Sequence, residues 1–225
     1  MAKKIFLRAR SEDARKHRRE EIIQAAIFII EKEGFNKLTM NAVAKKSKLG
    51  KATLYGYFET RGDLLLQVLQ NDFDQWFVHF YTFLEKGQAP FGDDFIQFWI
   101  KEVEMNPRLP GGLLYLSSND DPDLQASFAH KWNLYLVEKL REMHYQIIAN
   151  FGPMLSFEKV SHFFVALTGI TTGLWAQNKA GGVACQFKEL LALDIDFSEL
   201  LRPAIKGLFS QPEYQELSQL LPLQK

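Results

Sequence analysis

An all-α fold is predicted for this chain of 225 residues. Three observations carry that prediction. Apolar residues recur every three or four positions through nearly the whole length, which is the period of a helix face. Helix punctuation falls where those stripes begin and end, with Thr39 ahead of one, Gly34 behind another and Asp121-Pro122 opening a third. No stretch alternates apolar and polar residues as a half-buried strand does.

Residues 1–17 are polar and charged and are expected to form a basic flexible arm. From Arg18 the pattern turns helical, with Ile22, Ile23, Ala26, Ile27 and Ile30 on one face and Gly34 as the stop. Thr39 is the N-cap expected for a short second helix from Met40 to Lys46, apolar at Met40, Val43 and Ala44. A break at Ser47–Gly50 precedes a third short helix, Lys51 to about Tyr57. A long fourth helix starts near Thr60. Its stripe is Leu65, Leu69, Phe73, Trp76, Phe80 and Leu84, and Gly87–Pro90 ends it. Phe95, Phe98, Trp99 and Val103 mark a helix closed by Asn106-Pro107, and PRLPGG at 107–112 is expected to be a loop. Asp121-Pro122 opens a helix running to about Asn150. Another starts at Ser156 or Phe157 and runs to about Lys179, closed by Gly181-Gly182. Phe197, Leu200, Leu201, Ala204, Ile205 and Leu208 form the last stripe, and Pro203 inside it is expected to kink the helix or shift its start. The total is about nine or ten helices.

Net charge is zero but unevenly spread. Residues 1–62 hold 15 Lys/Arg against 7 Asp/Glu, and residues 63–225 hold 12 against 20. A basic head on an acidic body points to a polyanion as the head's partner, unless the cations merely form a solvated face. The single cysteine, Cys185, cannot close an internal disulfide. The N-terminus has only Ile5 to Leu7 as an apolar run, too short for a signal-peptide core. The longest apolar run, near 160–176, is interrupted by Ser161, His162 and three threonines and falls short of the ~18 residues a membrane span needs. No membrane association and a cytoplasmic location are expected.

Catalytic and metal motifs are missing from the sequence. No His-Glu-x-x-His, Gly-x-Ser-x-Gly or paired-Cys pattern occurs. Gly50-Lys51-Ala52-Thr53 lacks the upstream Gly and the adjacent Ser or Thr of a phosphate loop. The histidines are scattered, and Asn119–Asp123 is explained by helix capping. Neither enzyme activity nor a cofactor or metal is expected.

The informative stretch is KKSKLGKATLYGYFETRGDLL at 45–65. Three short helices with a break of about four residues between the second and third make a helix-turn-helix unit. In such a unit the second helix of the pair enters the DNA major groove with its N-terminal residues at base edges. Those residues are Lys51, Ala52 and Thr53. A Lys donates to guanine, a Thr hydroxyl serves either base type, and Ala or the Thr methyl meets a thymine methyl. Tyr55 and Tyr57 can reach phosphates, which fix register without reading sequence, or can belong to the core as Phe58 does. Arg61 adds a cation at a helix N-terminus, itself an anion site.

Residues from about 18 to 66 resemble the DNA-binding domain of the tetracycline-repressor (TetR) family of bacterial regulators. The resemblance rests on Arg19, Ile22, Ala25-Ala26, Gly34-Phe35, Thr39-Met40, Val43-Ala44, the run KATLYGYFETR and Leu64. It implies a helix-turn-helix at 39–58 within a DNA-binding domain at 18–60, followed by a larger helical regulatory and dimerisation domain at 61–225. It further implies that Arg19, Thr39, Lys48, Lys51, Ala52, Thr53, Tyr55, Tyr57 and Arg61 form the DNA-facing set. The chain departs from the family in having Lys48 where Gly is usual, Gly50 where a Ser or Thr cap is usual, and Gly62 in the first turn of the fourth helix. A left-handed backbone at Lys48 costs about 1 kcal/mol.

By the same resemblance the body forms a homodimer and holds a small-molecule effector. Ala166, Gly169 and Gly173 lie on one helix face where small residues admit a close partner. With the Leu201, Ile205 and Leu208 stripe they make half of an expected four-helix interface, or else pack within one subunit. Phe77, Phe98, Trp99, Trp132 and Trp175 are candidates for a pocket lining, which would favour an apolar or aromatic effector; the same rings would also serve to fill a core. The expected function is a ligand-responsive homodimeric transcription regulator. Most simply it is a repressor bound to a palindromic double-stranded DNA operator. The alternative is a helical ligand-binding or interaction protein without sequence-specific DNA binding.

Overall fold

A computed structural model of the chain describes residues 2–86, 91–118, 122–152, 155–178 and 196–218. Among these residues every regular element is helical. The chain divides into two compact units, Met1–Asn71 with Asp120–His130, and Asp72–Asn119 with Lys131–Lys225. The boundary therefore lies about ten residues beyond the expected 60/61 division, inside the fourth helix, and a second segment of chain returns to the first unit.

In the first unit, helix α1 spans Ala2–Glu33. It begins at Ala2, so residues 2–17 continue the first helix instead of forming an irregular arm. The sequence from 2 to 33 holds no Gly and no Pro. Pairs one turn apart, Arg18–Glu21, His17–Glu21 and Gln24–Glu20, brace the helix, each by a few tenths of a kcal/mol. Gly34, at φ 90°, ends it as its position predicts, and a short 3-10 turn at Phe35–Lys37 follows. Helix α2 spans Met40–Ser47, and its N-cap Thr39 accepts a hydrogen bond from the Ala42 amide at 3.1 Å. Helix α3 is Lys51–Tyr55, with Gly56 as its C-cap, so it stops two residues before the expected Tyr57. Ile22, Ala26, Val43, Leu54, Phe58 and Leu64 are fully or almost fully buried. Each of these side chains except the small Ala26 stabilises the fold by about 1.5–3 kcal/mol relative to exposure.

Helix α4, Arg61–Glu85, has residues in both units. Its start is fixed by a reciprocal cap. Asp63 Oδ2 accepts from the Thr60 amide and hydroxyl at 3.2 and 2.9 Å, and Thr60 Oγ1 accepts from the Asp63 amide at 3.0 Å. This is a capping box with Asp in the place of Glu.

The second unit continues with α5 (Asp93–Met105) and α6 (Arg108–Ser118). Residues 107–112, expected to be a loop, instead open α6. Pro110 falls in its first turn, where a missing amide costs no intrahelical bond. The Gly111 amide reaches the Pro107 carbonyl at 3.3 Å. Next come α7 (Pro122–Phe151) and α8 (Phe157–Gln177), the latter starting where expected and capped by Ser156. Helix α9, Phe197–Phe209, starts where its stripe starts and runs on through Pro203. The proline therefore did not shift the start. A short α10, Gln215–Ser218, completes the series. The expected punctuation at Gly87–Pro90, Asp121 and Gly181-Gly182, and Cys185, lie outside the described residues.

The second unit's core is built of rings. Trp76 stacks on Phe80 with centroids 5.2 Å apart and meets Trp99 edge-on at 5.4 Å. Phe91 meets Phe163 edge-on at 5.3 Å. Such pairs add about 0.5–1.5 kcal/mol each beyond their burial. Trp99 Nε1 donates to Thr171 Oγ1 at 2.9 Å, and that hydroxyl donates to the Leu167 carbonyl at 2.7 Å, so both buried polar groups are paired.

Candidate nucleic-acid interface and ligand cavity

The turn between α2 and α3 decides how α3 is presented. Lys48 adopts φ 57°, ψ 35°, the left-handed conformation. Its amide donates to the Lys45 carbonyl at 3.4 Å, and the Leu49 amide donates to the Ala44 carbonyl at 2.9 Å. That is a Schellman helix stop, with lysine at the position glycine usually fills. Gly50 caps α3 through its backbone alone, its carbonyl accepting from Leu54 at 3.1 Å.

Helix α3 then shows a clean division. Leu54 is fully buried, while Lys51, Ala52, Thr53 and Tyr55 are exposed. Phe58 is buried as expected, Tyr55 stands outside the core, and Tyr57 is half-buried. Lys48 and Thr39 are exposed and Arg61 is half-buried. Of the neighbouring lysines, Lys46 is turned away, with its ammonium 3.1 Å from the Phe28 ring centroid.

Arg19 does not join that exposed row. Its guanidinium stands 4.6 Å from the Phe58 ring centroid and donates to Gln67 Oε1 at 2.9 Å. It braces α1 against the buried end of the motif. Arg15, one turn earlier, lies 5.8 Å from the Tyr57 ring centroid, a neighbour that the motif alone does not reveal.

The second unit contains a cavity of about 370 Å³, within the range of small-molecule sites. It is walled by α4 to α8, with Phe73, Trp76, Phe77, Trp99, Trp132 and Phe164 among its rings. Of the five expected rings, Phe77, Trp99 and Trp132 line it. Phe98 and Trp175 do not. Phe98 stacks on Phe83 at 4.9 Å, and Trp175 packs edge-on against Phe197 at 5.3 Å. Phe73 and Trp76 belong to the α4 stripe, so periodicity could have found them. Leu109 and Pro110 fall in the stretch whose Pro and Gly content predicts a loop, and Leu113 lies one residue beyond it.

Several polar groups in the cavity wall are paired, whereas the buried Asn106 Oδ1 has no hydrogen-bond partner. Arg108 donates to both oxygens of Asp72, at 2.6 and 3.1 Å, and Asp72 is only 2% exposed. His79 Nδ1 lies 2.9 Å from Glu102 Oε2. Behind α4, Tyr135 donates to Asp74 Oδ1 at 2.9 Å, and Lys139 reaches Asp74 and Glu142 at 3.2 and 3.0 Å. Burial first, and the Asp74 bond second, push the Tyr135 phenol far above its ordinary range.

The expected dimer residues separate. Gly169 and Gly173 are exposed, with open space where a Cβ would stand, and Ala166 is half-buried. Leu201 and Ile205 are 0% exposed within the chain's own core, so neither is available to a partner, and Leu208 packs partly on that core. The stripe of α9 is the inward face of an amphipathic helix.

Comparison with known proteins places the head. Residues 22–68 match the family model of bacterial regulatory proteins, tetR family. An HTH-type transcriptional regulator of Staphylococcus aureus (strain USA300) is 35% identical over 65 residues, which are 29% of this chain and 35% of that protein. The chain thus matches about a third of the length of such curated relatives. Among solved structures, the fatty acid degradation regulator FadR of Bacillus halodurans is similar with a TM-score of 0.57 at 14% identity, over 87% of this chain and 96% of that one. FadR of Thermus thermophilus, a TetR-family transcriptional repressor crystallised with lauroyl-CoA, gives 0.53 at 18%, over 85% and 93%. The multidrug binding protein EbrR, complexed with imidazole, also gives 0.53 at 18%, over 87% and 96%. At these identities the likeness is one of fold.

Proposed function

We propose that the whole chain is a cytoplasmic, homodimeric, ligand-responsive transcription regulator, a reading that proceeds from the match of residues 22–68 to the family model of bacterial regulatory proteins, tetR family. It acts as a repressor, released from a palindromic operator by a small apolar or aromatic effector. The observation that carries the reading is the exposed row of Lys51, Ala52, Thr53 and Tyr55 on a helix whose opposite side, at Leu54, is fully buried. Such a row has no work to do inside the head.

In this reading Lys51 and Thr53 meet base edges and Ala52 meets a thymine methyl. Tyr55, Tyr57, Lys48, Thr39 and Arg61 hold phosphates and fix register. Two copies of α3 must reach successive major grooves, about 34–36 Å apart or a multiple of that, which is the reason for a dimer. The effector occupies the cavity of the second unit. Helix α4 supplies both Arg61 in its first turn and the cavity wall from Asp72 to His79, and it is the element through which occupancy alters DNA binding.

Selection of bound duplexes from a random pool tests the reading. Enrichment of an inverted repeat is expected. Lys51→Ala or Thr53→Ala then weakens binding by about 1–3 kcal/mol and relaxes base preference. Undiminished binding to the enriched duplex by a Lys51→Ala, Tyr57→Phe double variant would remove α3 as the reading helix.

A further inference from the structure

We infer that the N-terminal half of α1 is a second DNA-binding element, a cationic helical rod that engages phosphates flanking those met by α3. The inference rests on the DNA-binding reading above. The family match begins at residue 22, whereas α1 begins at Ala2. The turns that precede residue 22 lie outside that match.

Three observations support the rod. The first is its charge. Residues 2–19 contain Lys3, Lys4, Arg8, Arg10, Arg15, Lys16, Arg18 and Arg19 against Glu12 and Asp13. All the cations from residue 3 to 10 come before the first acid. The second is register. On a helix of 3.6 residues per turn, positions 4, 8, 15 and 19 fall within one narrow arc, the same arc as Ile22 and Ala26, which are fully buried. The face that packs in the core after residue 22 continues as a cationic row before it. The third is location. Arg19 lies against Phe58, and Arg15 stands 5.8 Å from the ring of Tyr57, so the row leaves the head beside a residue assigned to phosphate contact. From Arg15 back to Ala2 a helix extends about 20 Å. Duplex DNA presents a phosphate charge roughly every 1.7 Å of its axis, so several phosphates lie within that reach. A cationic face with no apolar residues to bury fits this polyanion and not a protein groove.

The test uses the full chain on a mixed-sequence duplex of about 40 base pairs, with the binding constant followed against salt concentration. Changing Lys4, Arg8 and Arg15, all in that arc, to Gln keeps good helix formers while removing three charges. Each lost phosphate contact makes the log–log slope shallower by about 0.9, so a change of about 2–3 is expected, with binding at low salt weaker by roughly tenfold or more. Exchanging the same three residues Lys for Arg and Arg for Lys should retain the slope. As a control of equal charge, Lys32, Lys86 and Lys101, all exposed, are changed to Gln. A slope unaltered by the first set, or lowered as much by the control set, overturns the inference. If the unmodified chain bound no duplex at all, the DNA-binding reading itself would fall.

Discussion

Lys48 carries the one positive φ of a non-glycine residue among the described residues. A left-handed lysine costs about 1–2 kcal/mol, and glycine would relieve that at the expense of a looser unfolded chain. Lys48→Gly is therefore expected to raise stability by about 0.5–1 kcal/mol in urea unfolding. It should also weaken DNA binding by the loss of one phosphate contact. That opposition distinguishes a residue kept for its charge from one kept for its backbone. Tyr135 gives a second prediction. Its phenol is held protonated by burial and then by Asp74, so its folded-state pKa lies above its unfolded one. The stability it contributes is complete below about pH 10 and is lost as pH rises beyond that value. Tyr135→Phe should flatten the alkaline fall in unfolding midpoint measured between about pH 9 and pH 11.

Helix starts and stops were the most legible elements because local chemistry sets them. Thr39, Ser156 and Gly34 act as their positions in the sequence say. The start of α4 depends on the Thr60–Asp63 exchange, and Asp63→Ala should cost about 0.5–2 kcal/mol of stability in denaturant melts. Three elements were misjudged, each for a physical reason. Residues 1–17 were expected to form a flexible arm because they are polar and charged, yet residues 2–17 hold no Gly or Pro and continue a helix whose later turns are packed. PRLPGG looked like a loop because Pro and Gly punctuate chains, yet Pro110 sits in the one turn that tolerates it. Pro203 was expected to kink α9 or shift its start; the start stays at Phe197, and the inward side chains Phe197, Leu201, Ile205 and Phe209 are all buried. Packing of that face outweighs one lost hydrogen bond. At the candidate site, the helix-turn-helix spacing pointed to Lys51, Ala52 and Thr53, which are exposed, and left Tyr55 between phosphate contact and core. The roles of Arg19 as a brace and of Phe98 and Trp175 as core did not, because periodicity marks a face without saying what lies opposite.

At the scale of the whole molecule, the cavity and its buried ion pair must stand together. Arg108→Ala leaves the Asp72 carboxylate buried and unpaired, and a loss of about 3–5 kcal/mol is expected on thermal or urea unfolding. Replacing both partners with apolar residues of similar volume should recover most of that loss. The recovered protein would then show whether the pair also serves ligand binding. The open faces of Gly169 and Gly173 predict that leucine at both positions separates the proposed dimer in sedimentation. Full dimerisation of that variant would place the interface elsewhere. The division of the chain has a consequence for anyone who wishes to exchange DNA-reading modules between regulators. Residues 1–71 contain the proposed reading surface, but the same unit includes residues 120–130, where Leu124 and Phe128 are buried. A graft cut once, after Asn71, carries the module away without those two side chains. A transplant that travels intact has to be spliced as two separate pieces of sequence.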